Sequence, residues 1–195
     1  GVQRVKRASF SVRAGEIVGI SGIAGSGQKE LVEALVGLTP AESGEIRFGG
    51  KPITGLTVGQ RRKLGIGYVA KDRSGVGTSR ESTLWENVVM GFHLLDRFQR
   101  GPLLPQGEAR QITRKVIANY SVKAQSIDLP IRNLSGGNVQ KLLVGREFSQ
   151  GKKLLVIEDP TRGVDVGAIE FIWKQILDIA KSGVGILLVS HELNE

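Results

Sequence analysis

The chain has 195 residues, 27 of them glycine, no cysteine, two histidines and a formal net charge of +8. That length suffices for one domain with a sizeable core; the absence of cysteine excludes disulfides and thiolate metal sites, and two histidines argue against an all-histidine zinc cage. No signal-peptide pattern occurs and no apolar run reaches membrane-span length, which predicts a soluble, cytoplasmic chain.

The positive balance suits nucleic acid, nucleotide or an anionic membrane surface. It is not gathered in one tail. The densest cluster, Arg61, Arg62 and Lys63, reads as a solvated face, and no aromatic-basic interleaving suggests a base-stacking platform, so no nucleic-acid partner is expected.

In chain order, residues 1–15 read as one edge strand and a turn. Ile17 to Ile20 is a short buried strand, followed at once by the glycine-dense turn Gly22 to Gly27. Leu31, Val32, Leu35, Val36 and Leu38 then fall at helical spacing. Strand, glycine-rich loop and helix make a phosphate-binding loop, because converging backbone N–H groups and the helix dipole favour an anion. Gly22, Gly25 and Gly27 fit the Walker A spacing, but Gln28 and Lys29 stand where that motif has Lys and then Ser or Thr. The side chain that reaches the β- and γ-phosphates and the hydroxyl for Mg²⁺ are therefore missing. The bland alternative is a tight turn that only packs a helix on a sheet.

Ser43 to Phe48 reads as a hairpin strand, Lys51 to Leu56 as turn, Arg61 to Leu64 as the end of a short helix, and Ile66 to Val69 as a second buried strand. Lys71 to Ser79 is a polar loop that fits no strand or helix pattern. Leu84 to Leu95 and Glu108 to Tyr120 carry helical periodicity, separated by a stretch that Gly101, Pro102, Pro105 and Gly107 break. Residues 82–134 thus look like a helical insert. The α/β pattern resumes with a helix that Ser135 can cap, an apolar strand from Lys153 to Ile157, a helix from Ala168 to Ala180 and a strand from Gly185 to Val189. Buried runs alternating with amphipathic helices predict a largely parallel sheet covered by helices. Both ends read as cut from a longer polypeptide.

Three further features carry chemistry. Glu158-Asp159 ends an apolar strand, where carboxylates hold Mg²⁺ and orient a water, or else cap the next turn. The run LSGGNVQ, Leu134 to Gln140, offers a hydroxyl and free N–H groups at a helix start, suited to a γ-phosphate, and it could face outward to a partner's nucleotide. His191 ends the last strand, where a histidine positions a γ-phosphate or simply satisfies a structural hydrogen bond.

The order of phosphate loop, LSGGNVQ, EDPTRGVD and terminal-strand histidine resembles the ATPase domain of ABC transporters. TRGVDVG, Thr161 to Gly167, and KDR, Lys71 to Arg73, narrow the resemblance to the second ATPase domain of tandem simple-sugar and nucleoside importer subunits. It covers nearly the whole chain, without the upstream adenine-stacking aromatic and the strands that normally follow the histidine. It implies an α/β P-loop NTPase core of mostly parallel sheet, with an N-terminal antiparallel β portion and a helical subdomain insert. On that basis 1–195 is a single domain, with a core of 1–81 and 135–195 and a helical subdomain of 82–134.

By the same resemblance, Gly22, Gly25, Ser26, Gly27, Gln28 and Lys29 belong to the Walker A loop. Lys71 stands at the Q-loop position, Ser135 and Gly137 lie in the signature, and Glu158 and Asp159 end Walker B. Asp165 is the D-loop aspartate and His191 the switch histidine. ATP and Mg²⁺ are the implied cofactors, with Glu158 and the Lys71 position at the metal. The implied partners are a second ABC ATPase domain, in the same polypeptide, and membrane-embedded permease subunits. The implied location is the cytoplasmic face of the membrane. The family has Asp then Glu where this chain has Glu158 then Asp159, and Lys71 brings a positive charge to the metal. Every departure falls on the domain's own hydrolytic side and none in the signature, which implies a degenerate site of its own and a completed site in the partner. A non-catalytic scaffold and an ABC-type ATPase outside transport are the competing readings.

Overall fold

Residues 5–23, 25–90, 93, 98 and 104–190 are described by the computed structural model. In chain order its elements are β1 (Ile17–Ser21), α1 (Gln28–Val36), β2 (Arg47–Phe48), β3 (Lys51–Pro52), α2 (Val58–Leu64), β4 (Ile66–Val69) and α3 (Leu84–Val89). There follow α4 (Gln106–Asn119), α5 (Gly136–Phe148), β5 (Leu154–Glu158), α6 (Val166–Lys181) and β6 (Gly185–Ser190). Four strands form one parallel sheet in the order β1-β6-β5-β4, and β2 pairs with β3 in a small antiparallel hairpin.

The central strands β5 and β6 are apolar at nearly every position because both faces of the sheet are covered. Strand pleating divides their side chains between two cores. Leu155, Ile157, Ile186 and Leu188 join a cluster with α3 to α6, while Val156, Leu187 and Val189 pack with Val32 and Val36 of α1. Each fully buried Leu or Ile contributes about 1.5–3 kcal/mol by leaving water. The first cluster runs without a break from the sheet into α3 and α4, through Leu84, Trp85, Val88, Ala109 and Val116.

Several local expectations are corrected. No strand forms among the described residues of 5–15, and Lys51–Pro52 pairs with Arg47–Phe48 instead of being turn. The helix starting at Leu84 ends at Val89, and Leu95 lies outside the described residues. Residues 71–79 contain a π-helical turn, Arg73–Gly77, closed by Gly77 N–H donating to the Asp72 carbonyl at 2.9 Å and started by the Asp72 carboxylate accepting from Ser74 and Gly75 N–H.

Of the Arg61–Lys63 cluster only Lys63 is exposed, and the other two are not a solvated face. Arg61 is 2% exposed and donates to the carbonyls of Ala34, Leu35, Thr54 and Leu56, so it satisfies the last open carbonyls of α1. Arg62 forks onto the buried Glu147 carboxylate, 2.9 Å to each oxygen. Thr57 and Thr83 start α2 and α3 with reciprocal capping boxes to Gln60 and Glu86.

Candidate functional site

Parallel strands present their C-terminal ends along one sheet edge, where α/β proteins place ligands. Here the register sets Ser21 beside Ser190 and Glu158 beside Val189. The loop from Gly22, the Glu158-Asp159 pair and Lys71 all follow strand ends on that edge. His191 follows β6 in sequence and lies outside the described residues, as does Ala24 within the loop.

The loop has the backbone of a phosphate cradle. Gly25 and Gly27 lie at φ +89° and +97°, a left-handed conformation that side chains resist, and Gly27 leads into α1 with no side-chain cap on the helix N–H groups. The two departures from Walker A then part company. Gln28 is 5% exposed and turns inward. Its Nε2 donates to the Ile23 carbonyl at 3.3 Å and lies 2.5 Å from where a Cβ on Gly22 would be, and its Oε1 is buried without a partner among the described residues. Lys29 turns outward, 76% exposed, and pairs with Glu33 one turn along at 3.8 Å. Ser26 is exposed, its N–H donating to the Ile23 carbonyl at 3.2 Å.

The carboxylate pair is engaged from both sides. Glu158, 5% exposed, accepts a hydrogen bond from the Tyr68 hydroxyl across β4 and β5. Burial, and then the hydrogen bond to Glu158 and its charge, push the Tyr68 phenol above its ordinary range, so it keeps its proton and donates. Asp159, whose side chain is 2% exposed, holds the Lys71 ammonium at 3.0 Å and sits in the left-handed region at φ +39°. The fit to Mg²⁺ is poor. The ion takes hard oxygen ligands in near-octahedral array. Here the hydroxyl position is the outward-facing Lys29, one carboxylate accepts a hydrogen bond from a phenol, and the other carries an ammonium.

The signature run starts α5. Ser135 is its N-cap by backbone, but its side chain does not cap the helix. Its Oγ accepts instead from Asn138 Nδ2 at 2.9 Å, leaving an exposed residue at the helix start. Asp165 caps α6 by accepting from Ala168 N–H at 2.9 Å, and it abuts α5 so closely that a Cβ on Gly137 would meet its Oδ2 at 2.8 Å. Arg73 ties these segments together, donating to the Gly136 carbonyl at 3.0 Å and the Arg162 carbonyl at 2.8 Å.

The structure thus brings Lys71 to Asp159 and Gly137 to Asp165. One contributor escaped sequence reasoning, and a second was named there without its contacts. Tyr68 sits in an otherwise apolar strand and reaches Glu158 only through the β4–β5 register, which no local pattern specifies. Arg73 bonds backbone carbonyls, which leave no signature in residue types.

The sequence matches the ABC transporter family over residues 5–162. A guanosine import ATP-binding protein, NupO of Bacillus subtilis (strain 168), is 40% identical over 100% of this chain and 38% of its own length. Ribose import ATP-binding protein RbsA 1 of Rubrobacter xylanophilus is 38% identical over 96% of this chain and 37% of its own length. The chain therefore spans little more than a third of the curated relatives it matches. Among solved structures, the ATP-binding cassette MJ0796, described as a dimeric post-hydrolysis state bound to ADP and Pi, superposes with a TM-score of 0.81 at 21% identity. That match covers 98% of this chain and 81% of the cassette, and it shows the shared fold. A sheet of this order, a glycine loop before α1 and the LSGGNVQ run at the start of α5 agree with a family match over most of the sequence, and the chain belongs to the ABC transporter family.

Proposed function

We propose that this chain is an ATP-binding domain of an importer for a simple sugar or nucleoside, with a hydrolytically weak site of its own and a signature that completes a stronger site in a partner. The partner is a second ATPase domain in the same polypeptide, and the pair works on the cytoplasmic membrane face with permease subunits. The nature of the solute follows the names of the relatives, guanosine and ribose importers among them. Residues 82–134 serve as the helical subdomain.

The observation that carries the reading is a contrast within one chain. On the Walker side the water-orienting position, Asp159, is held by Lys71, and Gln28 stands for the phosphate-binding lysine. On the signature side Ser135 and Gly136 are exposed at the uncapped start of α5, where an N–H array and a hydroxyl meet an anion well. Phosphoryl transfer depends on donors aimed at charge developing on the γ-phosphoryl group. In this reading Ser135 and the Gly136 and Gly137 amides supply such donors across the domain interface.

The test is the steady-state ATPase rate of the full-length polypeptide assembled with its permease. Ser135→Arg is expected to lower turnover about 100-fold, the scale of a lost oxyanion-type donor. Gln28→Ala is expected to leave turnover within about threefold, since its amide donates to Ile23 within the loop and the lysine charge is already absent. Equal losses in the two variants overturn the asymmetry. No turnover in the unsubstituted assembly favours a non-catalytic scaffold, a reading the Lys71–Asp159 pair also suits.

A further inference from the structure

We infer that the site on this chain's own Walker side takes the nucleoside triphosphate as a metal-free anion, with the Lys71 ammonium standing in the place of the divalent cation. The inference rests on the reading of the Gly22–Gly27 loop as a triphosphate site and adds which ionic form that site selects.

A divalent ion beside a triphosphate needs oxygen ligands from the protein or room for its waters. Three positions would supply them here: the second residue of α1, the end of β5 and the loop after β4. The first is Lys29, which carries no hydroxyl and points to solvent beside Glu33. At the second, Glu158 is occupied by the Tyr68 hydroxyl, and Asp159 is occupied by the third, Lys71, at 3.0 Å. A divalent cation on the same carboxylate would lie a few ångströms from a fixed positive charge, and like charges in a site this buried repel strongly.

What remains is a set that recognises anions. Lys71 is 29% exposed, so its ammonium bridges the buried carboxylate and the solvent side of the site, where phosphate oxygens would lie. The N–H groups at the start of α1 lack a side-chain cap. The Gln28 amide lies across the loop with one end bonded and its Oε1 buried without a partner among the described residues, a polar group that a bound polar ligand would complete. A lysine is a point charge on a flexible stem and contacts phosphate without fixed coordination geometry, whereas Mg²⁺ demands it.

The test is calorimetric titration of the chain with ATP in excess EDTA and again with excess Mg²⁺. The variants are Lys71→Glu and Lys71→Met, with circular dichroism as the folding control. The unsubstituted chain is expected to bind at least as tightly in EDTA as in Mg²⁺. Lys71→Glu restores an oxygen ligand and removes the cation, so metal-free binding should fall at least tenfold and binding should become Mg²⁺-dependent. Lys71→Met removes the charge without adding an oxygen ligand, so metal-free affinity should fall at least tenfold as well, with a smaller Mg²⁺ gain, through the freed Asp159, than Lys71→Glu shows; a loss in both variants with unchanged circular dichroism separates the charge from any effect on folding. Binding by the unsubstituted chain only with Mg²⁺, or an unchanged EDTA affinity in both variants, overturns the inference while leaving the triphosphate reading intact. No binding in either condition overturns both.

Discussion

At the scale of single residues, the buried charges of the core lie beneath the site rather than in it. Glu147 is fully buried; burial raises its carboxyl, but Arg62 and then Arg146 outweigh that and hold it below the usual range. Lys152, 5% exposed, donates to the Arg62 carbonyl at 3.3 Å, and burial together with Arg62 pushes its ammonium down to about 8 despite Glu147. The unfolded chain keeps that proton up to an ordinary lysine value of 10.5. Between about 8 and 10.5 the unfolded state therefore binds more protons, and stability rises with pH; below about 8 the folded protein carries the full cost of the charge. Lys152→Met is expected to raise the melting temperature at pH 7, by roughly 2–4 °C for each kcal/mol removed. The gain should shrink as pH rises through that window. Thermal melts of both proteins at neutral and alkaline pH check this, and a pH-independent difference would assign the effect to packing alone.

At the scale of elements, α4 is seated on α5 by a glycine. A Cβ at Gly145 would meet Tyr120 Cδ2 at 2.7 Å and Val116 Cγ1 at 2.8 Å, where the ring of Tyr120 also meets Phe148 and Phe171 edge-on. Gly107, in the first turn of α4, has nothing within 4 Å of such a Cβ. The same substitution should therefore have opposite signs. Gly107→Ala gains about 0.5–1 kcal/mol of helix propensity. Gly145→Ala gains a similar amount but pays about 1–3 kcal/mol for overpacking, for a net loss of about 1 kcal/mol. Urea denaturation midpoints of the two variants measure the contrast; stabilisation by both would mean that α4 shifts freely on α5.

At the scale of the whole molecule, a surface hollow of about 170 Å³ opens between α1, α2, β4 and the 73–77 turn, lined in part by Val36, Leu38, Val58, Ile66 and Val76. It borders the C-terminal end of α1 and is thus distinct from the phosphate loop at the other end. Leu38 and Val76 are 49% and 58% exposed on its rim, an apolar surface that suits a contact with the permease subunits proposed above. Asp72 and Arg73 are charges of the adjoining turn, but both hold the domain's own backbone, Asp72 the turn and Arg73 the Gly136 and Arg162 carbonyls. Val76→Asp and Leu38→Asp isolate the surface. Both are expected to weaken co-purification of the full-length polypeptide with its permease while leaving nucleotide binding unchanged. Undiminished assembly and transport would count against docking here.

What the sequence determined by itself is whatever a short window of chain encodes. The unbroken apolar runs of β5 and β6, the helical spacing of α1 and α6, glycines that must adopt positive φ and the order of the motifs were all readable, because local hydrophobic pattern and backbone sterics act within a few residues. Even the phase of α1 was present: Gln28, Val32 and Val36 recur every four residues and are buried together, so Gln28 turns inward and Lys29 outward on the same rule. Only the tertiary structure decided which charges meet. Lys71 joins Asp159, Tyr68 joins Glu158, Arg62 joins Glu147, and Arg61 is swallowed by the end of α1, each across a long stretch of chain. The strand register and helix packing that make these pairs are set by the burial of apolar faces, and that burial constrains where a charged side chain stands without recording its partner in the residues beside it.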